Sequence, residues 1–264
     1  MSHRMIRPNR LAALIALCLA GALSAGCASM RATAKLKEAQ GLFNDASAQV
    51  VHADPGAPPP VAALDQYRQV VSIVEKEVLP HTSRDDLKVN ALAIDSFSQW
   101  RLGDCVQAVN RAEEGINLHQ QARLTSNKRD YGMLLVADGL CKHSKAYQTF
   151  TSKGPALLTP AEAQQITSSM EASLTLIDEI NQNLAQDDDI VLWANEQQLQ
   201  IMKNAMDVWG KVPDAKDRKQ PICAWSKRAD GFVAARFPPQ FPRKDDVLQL
   251  QQTIDNARAR YQPC

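Results

Sequence analysis

The stretch Thr159-Pro160-Ala161-Glu162-Ala163-Gln164-Gln165-Ile166 begins a run in which Ile166, Met170, Leu174 and Ile177 recur every three or four residues. Thr is a good N-cap, and Pro suits the first helical position because its missing N–H would have no partner there anyway. Glu three residues past the cap can reach back to close a capping box. The spacing that follows puts one apolar face on a 3.6-residue period, so an amphipathic helix is predicted, extending to Leu184.

The same grammar repeats in both directions. C-terminally, Asp187-Asp188-Asp189 supplies carboxylates at the positive end of a further helix through Leu192, Leu199, Met202, Met206 and Trp209, closed by Gly210 and Pro213. Lys211 to Pro221 reads as a polar, charged linker. Two shorter helices follow, Ala224 to Arg236 and one through Val247, Leu250, Ile254, Ala257 and Tyr261, with Phe237-Pro238-Pro239-Gln240-Phe241-Pro242 between them.

N-terminally, a helix through Tyr131, Leu134, Leu135, Asp138 and Cys141 follows one carrying Val106, Val109, Ala112 and Ile116, which Asp104 caps. Before these, Thr82-Ser83-Arg84-Asp85-Asp86 offers capping oxygens to a stripe of Leu87, Ala91, Ile94 and Phe97. Leu64, Tyr67, Val71, Val74 and Val78 mark a helix that stops at Pro80, and Leu36, Ala39, Phe43, Ala46 and Val50 mark another. Between those two, Asp54-Pro55-Gly56-Ala57-Pro58-Pro59-Pro60 breaks the chain, because proline lacks the amide donor and restricts the residue before it. No strand pattern is present. The reading is all-α, about nine helices in antiparallel hairpins, either a tetratricopeptide-like array or an irregular bundle.

Composition agrees. Only 5% of the 264 residues are aromatic, against the β-branched and aromatic enrichment of sheet proteins. Formal net charge is +1, from 30 Lys+Arg and 29 Asp+Glu, which gives no single-sign field for nucleic acid.

The N-terminus carries Arg4, Arg7 and Arg10, an apolar run from Leu11 to Leu23, and then Ser24-Ala25-Gly26-Cys27. This is the three-part layout of an export signal, and the apolar run is too short for the ~20 residues that span a bilayer. Leu23-Ser24-Ala25-Gly26-Cys27 resembles the lipobox of bacterial lipoproteins. That resemblance implies removal of residues 1–26, acylation of Cys27 (a palmitate-bearing anchor) and, since Ala28 rather than Asp follows, delivery to the outer membrane on its periplasmic face. Residues 27–60 then form a tether helix and Pro-rich linker, 61–210 the helical domain, and 211–264 a C-terminal hairpin packed on it. Removal of the signal takes three Arg and no acid, leaving 27 basic against 29 acidic residues, a formal charge of −2.

Trp100-Arg101-Leu102-Gly103-Asp104-Cys105-Val106-Gln107-Ala108, with Ala112 and Gly115 beyond it, resembles the turn and second helix of a tetratricopeptide repeat. The resemblance implies a Gly-Asp hairpin turn with Ala108 and Gly115 at the close helix contact.

Setting aside Cys18 and Cys27 leaves Cys105, Cys141, Cys223 and Cys264, an even number in an oxidising compartment. Helices that alternate in direction bring Cys105 to Cys141 and Cys223 to Cys264, and these two disulfides are expected. His52, His81, His119 and His143 show no metal-ligand spacing and read as surface residues. No nucleophile elbow, phosphate loop or dinucleotide fingerprint occurs, so neither an enzyme nor a cofactor is expected.

The functional expectation is a non-catalytic scaffold binding an envelope protein or peptide, similar in layout to the helical-repeat lipoproteins of the β-barrel assembly machinery and to pilotins. The alternative is a periplasmic accessory for a small ligand or glycan, using Trp193, Trp209 or Trp225.

Overall fold

A computed structural model describes the backbone of residues 8–51, 59–237 and 244–260, and most side chains from residue 29 onward. Among those residues there is no strand. The chain runs through α1 (Pro8–Val51), α2 (Val61–Ile73), α3 (Asp85–Arg101), α4 (Cys105–Gln121), α5 (Lys128–Ser152), α6 (Pro160–Asp178), the single-turn α7 (Ile180–Asn183), α8 (Asp189–Gly210), α9 (Ala215–Arg236) and α10 (Lys244–Arg260). The all-α class is as expected. Successive helices pair, α1 with α2, α3 with α4, α5 with α6 and α8 with α9, while α3 and α4 pack on α5, and α6 on α8. The side chain of Cys27, on the described backbone of α1, and all of Cys264 lie outside the described residues.

Two helices sit at the centre. In α3 every residue from Ala91 to Gln99 is buried, and in α5 every residue from Tyr131 to Cys141. Neither is the one-sided helix that the spacing predicts, because neighbours cover each from all directions. The polar residues caught in α3 are accommodated individually. Ser96 donates to the Ala108 carbonyl of α4 at 2.9 Å, and Ser98 to the Ile94 carbonyl at 2.6 Å. The Asp95 carboxylate lies 3.2 Å from Arg111 Nε, and Arg111 also pairs with Glu75 at 2.8 Å. Burial pushes Asp95 up to about 7; the Arg111 charge opposes this, and Glu75 adds to it.

The α3–α4 turn uses Gly103 at φ +83°, and Asp104 caps α4 by accepting from the Gln107 amide at 3.1 Å. The buried face of α4 is made of small residues, Ala108, Ala112 and Gly115. A Cβ on Gly115 would meet Leu134 of α5 at 2.7 Å. That close approach turns the bulkier Val106, expected on the buried face, out to 70% exposure. The Cys105–Cys141 disulfide then ties the first residue of α4 to the middle of α5, with Cα atoms 5.1 Å apart.

Other boundaries move. The helix after Thr159 forms its capping box as expected but stops at Asp178, and α7 carries the chain to Leu184. Arg84, not a Thr or Ser, occupies the N-cap of α3; it caps no helix amide, and its guanidinium donates instead to the Asp86 carboxylate in the first turn. In α2 the core residues are Ala63, Tyr67 and Val70, and a π-helical segment, Val74–Val78, continues the buried stripe. The expected linker over Lys211 to Pro221 is mostly helix. Asp214 accepts from the Lys216 amide at 2.7 Å, and Ala-Lys-Asp-Arg-Lys-Gln are adequate helix formers, so α9 starts at Ala215 and tolerates Pro221 inside it.

Candidate functional site

Four helices leave an open cavity of about 520 Å³ between them. Two present a face along their length. From α1 come Gln40, Phe43, Asn44 and Ser47; from α3 come Asn90, Ile94, Phe97 and Arg101, spaced by four, three and four so that they share one side. Early residues of two more helices complete the wall, Arg129, Asp130 and Met133 of α5, and Asp189, Ile190 and Trp193 of α8.

One side of the cavity is polar and fixed by its own hydrogen bonds. Gln40 Nε2 donates to Asn90 Oδ1 at 2.7 Å, and Asn90 Nδ2 donates to Asp130 Oδ1 at 2.8 Å. Asn127 donates to the other Asp130 oxygen at 2.9 Å and to the Asp86 carbonyl at 3.0 Å. Burial raises Asp130 above the ordinary carboxylate range, and the donors from Asn127 and Asn90 oppose that shift. At the edge, Arg129 pairs with Asp188 at 3.1 Å, and Asp188 caps α8 through the Ile190 amide at 3.0 Å.

The other side is aromatic. Phe97 is the hub, with ring centroids 5.7 Å from Phe43, 5.1 Å from Trp100 and 5.4 Å from Trp193. Trp100 and Trp193 are 5.6 Å apart. Into this group projects Arg101, its guanidinium carbon 4.4 Å from the centre of the Trp100 ring and 5.5 Å from that of Trp193. Burial pulls Arg101 below its usual basicity, with the Tyr67 hydroxyl acting against that as a partner. Tyr67 in turn shares a 3.2 Å hydrogen bond with Ser47.

The lining thus joins the carboxylates of Asp130 and Asp189, the guanidinium groups of Arg101 and Arg129, carboxamides and aromatic rings, and Ser47 faces the Tyr67 phenol. Of the three tryptophans considered from sequence, Trp193 lines the cavity, whereas Trp209 and Trp225 are core residues at 5% and 8% exposure. Two histidines expected at the surface are half-buried. His119 stacks on Tyr131 at 4.4 Å, and His143 contacts Asn204 at 3.2 Å and is held down at about 4 by burial. His81 is exposed, and His52 lies outside the described residues.

Cys223 of α9 is also disulfide-bonded. The sequence reading missed Asn90, Phe97, Arg101 and Asp130. The i, i+7, i+11 spacing of Asn90, Phe97 and Arg101 was the available signal, obscured because α3 carries apolar residues on every side. Comparison with protein-family models, with curated proteins and with solved structures finds no match to this chain.

Proposed function

We propose that this chain is a periplasm-facing outer-membrane lipoprotein, anchored through Cys27, that works by binding and not by catalysis. The cavity between α1, α3, α5 and α8 carries the reading. Its volume is within the roughly 300–1,000 Å³ of small-molecule sites, and its polar wall is already oriented without a ligand. That supports the accessory protein for a small ligand over a flat docking surface. The scaffold for an envelope protein or peptide is the second reading, favoured by the pairing of successive helices into stacked hairpins.

The test is thermal denaturation of the purified mature protein against soluble organic acids, amino acids and sugars. Binding in the cavity raises the melting temperature, and Asn44→Trp, at an exposed position of the wall, removes the rise. No shift with any compound, together with a stoichiometric protein partner recovered by crosslinking intact envelopes, would transfer the function to the scaffold. For the anchor, Cys27→Ala abolishes acyl incorporation and membrane retention; acylation that persists overturns the lipoprotein reading.

A further inference from the structure

We propose that Arg101 makes the cavity a recognition site for the carboxylate of an aromatic acid, an inference that rests on the binding reading above. The first observation is charge. Among the described residues Arg101 has no carboxylate partner, its guanidinium meeting the Tyr67 hydroxyl, and its Nε is buried with no hydrogen-bond partner. The neighbouring charges are accounted for: Arg129 pairs with Asp188, Asp130 accepts from two carboxamides, and Asp189 has an interaction of its own. A half-buried guanidinium whose partner is the neutral Tyr67 hydroxyl and no carboxylate is under-compensated, and the C-terminal end of α3 offsets this only in part. An arriving anion supplies the missing partner.

The second observation is position. The guanidinium carbon lies 4.4 Å from the centre of the Trp100 ring, which holds the group beside the cavity, and a guanidinium is a planar fork of N–H donors that suits a two-oxygen acceptor. The third is the wall beside it. Phe97, Phe43 and Trp193 offer ring faces and edges to a planar body. Across the cavity, Gln40, Asn44 and Asn90 can bond a hydroxyl or amide on the ligand's far end. The carboxylate goes to Arg101, the ring to the aromatic side, and the polar substituent to the carboxamides.

The experiment compares 4-hydroxyphenylacetate with its neutral isostere 4-hydroxyphenylacetamide, and with phenyl phosphate, by calorimetry and tryptophan fluorescence on the mature full chain. The acid is expected to bind at least about tenfold more tightly than the amide, with quenching from Trp100 and Trp193. Arg101→Gln brings acid and amide to within about twofold, whereas Arg236→Gln, in a residue that pairs with Asp178 and does not line the cavity, leaves the discrimination intact.

Equal binding of acid and amide by the native protein overturns the carboxylate assignment and leaves the binding reading standing. Binding of neither, with no response from phenyl phosphate, overturns the aromatic-acid assignment, and the binding reading falls with it only if the wider thermal panel is also silent. Tighter binding of phenyl phosphate than of the acid replaces carboxylate by phosphate recognition and overturns the proposal as stated. If Arg101→Gln fails to fold, the native acid-to-amide ratio and its survival in Arg236→Gln still decide the matter.

Discussion

The α4–α5–α6 contacts and the α1–α3–α8 junction are built from opposite ends of the side-chain size scale. In the first, Gly115 meets Leu134, Gly132 meets Ile180 of α7, and Gly139 meets Ile177, each so close that a single added carbon would sit at 3.0 Å or less from the facing side chain. In the second, Phe43, Phe97, Trp100 and Trp193 meet edge-to-face or tilted with centroids 5.1–5.7 Å apart. The aromatic junction opens on the cavity of about 520 Å³, whereas beside the glycine contacts α4, α5 and α6 leave a smaller one of about 300 Å³. Close backbone contact thus marks one region and the larger space for a ligand the other, and Arg101 lines that larger space.

The largest effect that would sharpen this contrast is loss of the Cys105–Cys141 bond, which staples the glycine-packed side. It spans 36 residues, and removing it with Cys105→Ser/Cys141→Ser is expected to cost about 4 kcal/mol by loop-closure entropy. Urea unfolding with and without reductant measures it. A loss under about 1 kcal/mol would mean that the glycine contacts hold α4 on α5 unaided.

Phe97→Ala comes next, on the aromatic side. Deleting a buried Phe usually costs about 3–5 kcal/mol, and the expectation is the lower end, about 3 kcal/mol, because one flank already faces the cavity. A value near 5 kcal/mol would show the junction to be as tightly coupled as the glycine interfaces.

Gly139→Ala then tests the other side with one carbon. The new Cβ would lie 2.5 Å from Ile177 Cγ1 and 3.1 Å from the Ser173 carbonyl, neither a freely movable atom. Overpacking outweighs the gain in helix propensity, for a net loss of about 1–2 kcal/mol. Gly231→Ala in α9, with nothing within 4 Å, should instead gain about 0.5–1 kcal/mol. Opposite signs from the same substitution in two helices would establish the contrast; equal signs would break it.

What the sequence made legible was local. The Thr159 capping box, the Asp104 cap and the Cys105–Cys141 pairing follow from short-range spacing and from alternation of helix direction. The cavity was not legible, because its walls come from residues near 40, 90, 130 and 190 that only the packed hairpins bring together. Asp95 and Ser96 broke the apolar periodicity of α3, so its burial on all sides was hidden behind an apparent stripe. Val106 misled in the other direction: an apolar residue in register faces solvent because small residues form the contact. Side-chain size at a contact decides which face is inward, and hydrophobicity alone does not carry it.

The smallest expected loss lies outside both regions, at the start of α6, and serves as their baseline. Thr159 accepts from the Glu162 amide at 3.3 Å, and Glu162 accepts from the Thr159 amide at 2.9 Å and from Lys153 at 2.8 Å. Thr159→Ala is expected to cost about 1 kcal/mol, since it frees one helix donor at an exposed end. Lys153, with the two Thr159 donors, holds the Glu162 carboxyl down at about 2. Its folded-state value is below its usual one, so its contribution is complete above the normal carboxylate range and fades as pH falls through about 2. Glu162→Gln should therefore differ from the native protein at pH 7 and approach it under acid, in urea titrations run across that range. A gap independent of pH would assign the cap to shape instead of charge.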